Sequence, residues 1–220
     1  MDGQELLDYT RNDVLKDGTM PYLWSDDLIL RRLNEAERLF ARETYALLDD
    51  TQTITTQAPV NGVGVKEYAV PEGTLLVSSV TDPTSGRDLT NYTRKFIPNA
   101  LQTAIGIPRS FTMDEATHTV RFFPVPDAVY VMPIRVMRLP AQDFTLSTCP
   151  EIPSEYHIDL ASFAAWKCLQ DNDNDGGNTK AAERHKTDWN EKVATAKREY
   201  YRYRLGQNPK FVYNCTGKRN

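Results

Sequence analysis

The sequence predicts an α+β protein in which N- and C-terminal helices form a helical bundle, with an inserted β-rich domain and an extended C-terminal arm. Three observations lead to this prediction. Apolar residues recur at helical spacing over residues 1–50, the period changes to two over residues 51–150, and helical spacing returns over residues 151–205. Residues 206–220 contain helix breakers and few apolar groups, which predicts the extended arm.

The first 50 residues predict a short amphipathic helix over 5–15 and a longer helix that begins after Ser25. The Ser25 side chain can accept a hydrogen bond from an amide of the first turn, and Asp26 and Asp27 suit the positive end of the helix dipole. We therefore expect a long helix with one buried face. The apolar residues at helical spacing on that face are Ile29, Leu33, Ala36, Phe40 and Leu47.

Between residues 51 and 150, short alternating runs are separated by turn-forming residues, which is typical of antiparallel strands. Asn61-Gly62 and Asp82-Pro83 are two of these turn signals. The segment 114–116 predicts a hairpin turn. The candidate strands are 51–56, 65–70, 75–81, 110–113, 117–123 and 130–137.

Two further helices are predicted after Pro153. Ser154 is a candidate N-cap for the first, and the stretch 156–169 is apolar almost all round, as expected for a helix surrounded by others. The second helix follows a polar loop, and we expect both Trp166 and Trp189 to be buried inside the bundle. The apolar stripe of the second helix is formed by Ala182, His185, Trp189, Val193, Ala196, Tyr200 and Tyr203.

The composition excludes several classes of protein. With 40% hydrophobic and 25% charged residues, the chain has the makeup of an ordinary globular protein. Its apolar runs fall well short of the roughly 20 residues that span a bilayer, so no membrane partner is expected. The acidic N-terminus lacks the basic and apolar regions of a signal peptide, and we expect a protein of the cytosol or one assembled from it.

The net charge of −4 hides an uneven distribution. Residues 178–220 contain 11 basic and 4 acidic residues, whereas residues 1–50 and 151–177 are acidic. Basic and aromatic side chains are interleaved toward the C-terminus, a mixture suited to a protein interface or to stacking on nucleic-acid bases. The candidate partner-binding residues are Arg198, Arg202, Arg204, Lys210, Phe211, Tyr213, Lys218 and Arg219.

Several segments, taken in their order along the chain, resemble a known protein family. They are ELLDYTR at 5–11, PYLWSD at 21–26, LNEAE at 33–37, FAR at 40–42, FFPVPDA at 122–128, VMRLP at 136–140, IP at 152–153 and YHIDL at 156–160. In this order they resemble the head-to-tail adaptor (connector) proteins of tailed bacteriophages. The segments are packing and turn patterns, and none is a catalytic signature.

The resemblance implies a structural protein without enzymatic turnover and without a cofactor. Such adaptors form a homo-oligomeric ring, commonly of twelve copies, beneath the portal protein at the capsid vertex. They dock through helices and the C-terminal arm, they present a surface to the tail (nozzle or tail-tube) proteins, and double-stranded DNA passes through the channel of the ring. The implied location is the head–tail interface of the virion, with the host cytoplasm during assembly.

Two other functions stay open. The basic, aromatic C-terminal segment would also suit a nucleic-acid-binding module, although the acidic remainder of the chain would repel a polyanion. A cell-wall hydrolase would need two cooperating carboxylates. Glu35 and Glu37 are the nominees, but an i, i+2 spacing directs them to different sides of a helix.

The sharpest local motif is a candidate calcium loop. Asp171, Asp173 and Asp175 alternate, and Gly176 stands at position six, where such loops turn sharply. Position twelve requires a bidentate glutamate but is Ala182. We expect a polar interhelical loop, no metal and no catalytic residues.

Overall fold

A computed structural model of the chain describes residues 1–60, 64–92, 103–114, 116–171 and 178–204. Helices and several β-sheets within these residues make a mixed α+β protein, as the sequence predicts. Backbone contacts divide the chain into two units. The helical unit is built from the chain up to Leu47 and the described residues from Pro140 onward, and the β-rich unit is Leu48–Leu139.

The N-terminal part of the helical unit contains α1 (Gly3–Tyr9), a π-helical turn (Thr10–Val14) and α2 (Asp26–Thr44). Ser25 caps α2 as predicted, since its hydroxyl oxygen accepts a hydrogen bond from the backbone N–H of Leu28 at 3.3 Å.

The predicted buried face of α2 is largely confirmed, because Ile29, Leu33, Ala36 and Phe40 are all fully buried. Leu47 is also buried, but it lies beyond the helix, which ends where Tyr45 adopts a left-handed backbone conformation with φ of 54°.

The C-terminal part of the helical unit begins with a 3₁₀ turn (Ser154–Tyr156), which leads into α3 (His157–Asp171) and then α4 (Asn178–Arg204). The prediction that Ser154 is an N-cap is wrong. Pro153 occupies the cap position of the 3₁₀ turn, and no side chain among the described residues caps it. The buried residues of α3 are His157, Leu160, Ala161, Phe163, Ala164, Ala165, Cys168 and Leu169.

The two tryptophans of α3 and α4 differ in burial. Trp189 is 6% exposed, and its ring centre lies 5.2 Å from that of Phe163 and 6.2 Å from that of Phe40. Trp166 is only half-buried, with the Lys167 ammonium 4.4 Å and the Lys186 ammonium 5.6 Å from its ring centre. The expectation is therefore confirmed for Trp189 and wrong for Trp166, which lies at the surface beneath two lysines.

The β-rich unit is built from three sheets in its described residues. The strands are β1 (Leu48–Thr55), β2 (Glu67–Ala69), β3 (Thr74–Val80), β4 (Thr90–Asn91), β5 (Ile105–Gly106), β6 (Ser110–Asp114), β7 (Thr119–Phe123), β8 (Val125–Pro126) and β9 (Val131–Arg138). β1, β9 and β3 form an antiparallel sheet in that order, β2, β7, β6 and β4 form a second, and β5 pairs with β8 in parallel.

The predicted hairpin is confirmed, because β6 and β7 are antiparallel and Asp114 lies opposite Thr119. Side chains alternate across each strand, so one face of β9 packs into the core and the other is exposed. The core of this unit consists of Ile54, Tyr68, Val77, Val80, Leu89, Phe111, Val120, Phe122, Met132, Ile134 and Val136.

Candidate partner-binding surfaces

The predicted partner-binding residues fall mostly beyond the part of the chain that the structure describes. Arg198 is exposed on α4, where its guanidinium donates to the carbonyl of Ala194 and the hydroxyl of Thr195, both at 3.3 Å. Arg202 and Arg204 lie on α4, but their side chains are outside the described residues. The predictions for Lys210, Phe211, Tyr213, Lys218 and Arg219 fall outside them altogether.

The C-terminal half of α4 is fixed to the helical core as far as Tyr200. The Tyr200 ring lies 6.0 Å from that of Tyr156, and the Tyr156 hydroxyl donates to Glu199 at 2.5 Å. Burial, followed by this bond, raises the pKa of Tyr156, so the phenol stays neutral. Lys197 adds an ion pair of 3.2 Å with Glu43 of α2. The part of α4 that carries Arg198 is therefore anchored to the helical core.

A second surface was not predicted from the sequence. It is the apolar loop, residues 20–23, which exposes Met20 by 80%, Tyr22 by 42% and Leu23 by 58%. Large adjacent apolar side chains are seldom left in solvent, and such patches commonly mark sites where another molecule binds.

A buried arginine holds the apolar loop in place. Arg11 is 3% exposed, pairs with Asp17 at 3.0 Å and with Asp26, and stacks 4.1 Å from the ring centre of Tyr22. The Asp17 carboxylate in turn accepts hydrogen bonds from the backbone N–H groups of Leu23 and Trp24. The loop is therefore fixed by charge-assisted hydrogen bonds at its base, while its apolar side chains face outward.

Two buried ionisable side chains bind the backbone of Ile152. The Glu37 carboxylate accepts hydrogen bonds from the N–H groups of Glu151 and Ile152, and the His157 imidazole nitrogen Nε2 lies 2.9 Å from the Ile152 carbonyl. Burial lowers the pKa of His157, so its ring is neutral and donates from Nε2. Both side chains are almost completely buried, so neither can reach a substrate.

The two carboxylates nominated for a hydrolase have separate roles. Glu35 forms an ion pair of 2.9 Å with Arg32 near the surface, whereas Glu37 is buried against the segment that precedes α3. The predicted divergence of Glu35 and Glu37 is confirmed.

No group of three or more His, Cys, Asp or Glu side chains is placed to hold a metal ion in the described ranges. Asp171 ends α3 and pairs with Arg32, and Ala182 is a core residue of α4. Asp173, Asp175 and Gly176 of the candidate calcium loop lie outside the described residues.

Comparison with protein families decides the identity. The family model described as SU10 adaptor protein matches residues 1–209. The chain belongs to the SU10 adaptor protein family. No curated protein matches the sequence.

Membership in the SU10 adaptor family confirms the resemblance to phage head-to-tail adaptors. It makes the protein a structural phage adaptor and a component of the virion, and it implies contact with portal and tail components. The family is structural, which implies that the protein is not an enzyme. No helix in the described part of the chain is both long and apolar enough to cross a membrane.

Sequence reasoning missed the buried charges of this SU10 adaptor family member. Glu37 had a usable signal, since it follows Leu33 by four positions and precedes Phe40 by three, which places it on the buried face of α2. Arg11 had no such signal in the sequence, because Asp17 and Asp26 come close to it only through the path that the loop takes in the folded chain.

Glu37 should make the stability of the protein depend on pH. Burial raises the pKa of its carboxyl to about 7, although two N–H donors oppose the shift. The unfolded value is about 4.3, so the extra stability is fully present below about pH 4 and is lost as pH rises through 7. Between pH 5 and pH 8, wild-type protein should lose roughly 2–3 kcal/mol more than Glu37→Gln in urea unfolding. Parallel pH profiles for the two proteins would contradict this.

Proposed function

We propose that this SU10 adaptor family member assembles into a ring of twelve copies. The ring docks beneath the portal protein, gives the nozzle or tail-tube proteins their attachment surface, and lets double-stranded DNA pass as cargo through its channel. The family match over residues 1–209 carries the proposal. The protein would be made in the host cytoplasm and end at the head–tail interface of the virion.

We further propose that the helical unit is a bundle into which the β-rich domain is inserted. Phe40 of α2, Phe163 of α3 and Trp189 of α4 meet in one aromatic cluster, which supports a bundle built from both ends of the chain. A rigid body of this kind would keep α4 in a fixed direction.

The C-terminal arm, residues 206–220, is the proposed portal clamp. Phe211 and Tyr213 would serve as apolar anchors, and Lys210, Lys218 and Arg219 would steer the arm to an acidic surface. The anchoring of α4 as far as Tyr200 supports this role. Individually weak arms would give a firm joint because a ring multiplies their number. On α4, the proposed partner-binding residues are Arg198, Arg202 and Arg204.

Removal of residues 208–220 should abolish or severely weaken docking to the portal while leaving the monomer folded and equally stable. The matched control replaces the same residues by a glycine-serine segment of equal length, which keeps chain length and removes the anchors and charges. Both variants should unfold in urea at the wild-type midpoint and should fail to form the portal complex in co-sedimentation and electron micrographs.

Docking of either variant at wild-type level would show that attachment resides in the helices. A nucleic-acid-binding module predicts a different result. In that case the isolated wild-type protein would bind duplex DNA with a steep dependence on salt, and the truncated chain would not.

A further inference from the structure

The outward side of α2 and the segment 143–145 enclose a groove of about 660 Å³, which we call the α2 groove. Its floor includes the apolar side chains of Leu30, Leu39 and Phe144. Leu30 and Leu39 are partly buried against the helical core, and Phe144 belongs to that core. The groove therefore combines an apolar floor with a charged rim.

The two walls of the α2 groove are held together by Asn34. Its side-chain amide donates to the Phe144 carbonyl at 3.0 Å and to the Leu30 carbonyl at 3.1 Å. Its side-chain oxygen accepts the Phe144 N–H at 2.8 Å. Because this amide satisfies both backbone groups of Phe144, the groove is preformed and would lose little conformational freedom on binding.

The charges in the middle of the rim are already neutralised. Arg32 pairs with Glu35, and Arg38 pairs with Asp143, each at 2.9 Å. These four side chains have carboxylate or guanidinium partners within the same chain. They add no net attraction for a charged ligand.

Two arginines of the rim have no such partner among the described residues. Arg31 and Arg42 are exposed, and neither side chain takes part in a hydrogen bond or an ion pair within the part of the chain that the structure describes. They are eleven positions apart, which puts them on the same face of α2, about 16 Å from each other along the helix axis. Asp27 is the remaining acidic residue of the rim, one turn before Arg31.

We propose that the α2 groove binds an acidic protein segment that carries two carboxylates about 16 Å apart and an apolar side chain between them. Guanidinium groups bind carboxylates in a bidentate manner, and Leu30 and Leu39 would cover the apolar side chain. The segment belongs to a different protein, and only its identification as part of a portal or tail component rests on the proposed function. The groove is distinct from the C-terminal arm.

The lining favours a protein segment over nucleic acid. The two rim arginines without a carboxylate partner among the described residues, Arg31 and Arg42, lie about 16 Å apart, whereas duplex DNA carries a negative charge about every 1.7 Å along its axis, so the rim matches two separate carboxylates better than a row of phosphates. The apolar floor offers a phosphate no favourable contact, but it would stabilise a leucine or phenylalanine side chain by burying its apolar surface. The basic C-terminal segment of another copy is excluded by its charge.

The test uses the full-length protein and fluorescence anisotropy. The probe is a labelled alanine-based helical peptide of about 20 residues, with two glutamates eleven positions apart and leucines between them on the same face. A second probe has glutamine at both glutamate positions, and a short DNA duplex is the third. The glutamate probe should bind wild-type protein at least tenfold more tightly than the glutamine probe, and more weakly as salt rises.

The double variant Arg31→Glu with Arg42→Glu should weaken binding of the glutamate probe at least tenfold. The matched control is Arg87→Glu with Arg135→Glu, which makes the same change in net charge at two exposed arginines of the β-rich unit and should bind as wild type does. Since all four side chains are exposed, circular dichroism should confirm that both variants fold.

Three results would overturn the proposal. In the first, wild-type protein and the groove variant bind the glutamate probe equally. In the second, wild-type protein binds the glutamate probe no more tightly than the glutamine probe, or binds neither. In the third, wild-type protein binds the DNA duplex more tightly than the glutamate probe, and this binding depends on Arg31 and Arg42. The assay contains no portal protein, so a failure of portal docking or ring assembly leaves its outcome unaffected.

Discussion

Replacing Trp189 by alanine is expected to lower the free energy of unfolding of the helical unit by about 3–5 kcal/mol. The side chain is 6% exposed and lies between the rings of Phe40 and Phe163, which belong to different helices. Its removal takes apolar area out of the core and leaves a cavity that three helices would have to collapse to fill.

Trp166→Ala is the matched control for the Trp189 substitution. Trp166 is half-buried beneath Lys167 and Lys186, so its truncation opens no closed cavity and should have a clearly smaller effect. Urea unfolding followed by tryptophan fluorescence reports on the helical unit, because all three tryptophans lie in it. Equal losses of unfolding free energy in the two variants would mean that Trp189 does not lie in a closed core between Phe40 and Phe163.

Elements whose signals are local could be predicted from the sequence. Ser25 caps α2 because its hydroxyl and the first-turn amides are neighbours in sequence, and the hairpin of β6 and β7 follows from alternation around a short turn. The end of α2 could not be predicted in the same way. Leu47 continues the apolar spacing, but the left-handed conformation of Tyr45 turns the chain before it is reached.

Features that depend on distant contacts could not be predicted in this way. The segment 140–150 was expected in the β-rich domain, yet Asn34 and Arg38 bind its residues Phe144 and Asp143 to α2. Trp166 looked buried because α3 is apolar almost all round, and periodicity cannot tell which residue of such a helix faces outward. In the structure, Lys167 and Lys186 lie over the Trp166 ring, so this side of α3 faces outward.

The candidate surfaces divide in the same way. The basic C-terminal residues were identified from composition alone, and Arg198 is the one whose side chain the structure describes. The arginines of the α2 groove are visible in the sequence only as ordinary charges on the exposed face of a helix. What distinguishes Arg31 and Arg42 is that their neighbours Arg32 and Arg38 already have partners, one of which comes from the segment 140–150.

Arg11→Met is expected to destabilise the helical unit by about 3–5 kcal/mol, because it removes one partner of a buried ion pair. Methionine would fill the space of the aliphatic stem, but the Asp17 carboxylate would stay buried without its cation. The side chains of Arg11 and Asp17 are only 4% and 9% exposed. The measurement is urea unfolding with tryptophan fluorescence, in which Trp24 should also report the loosening of the apolar loop.

A double-mutant cycle separates the buried charge from lost packing. Asp17→Asn keeps an oxygen that can accept the N–H groups of Leu23 and Trp24, so combining it with Arg11→Met should recover much of the loss. Asp26→Asn should change stability by less than about 1 kcal/mol, because the Asp26 side chain is 61% exposed. The double variant could instead be no more stable than Arg11→Met alone. In that case the loss of unfolding free energy comes from packing, including the contact with Tyr22, and the apolar loop is not held by the Arg11–Asp17 pair.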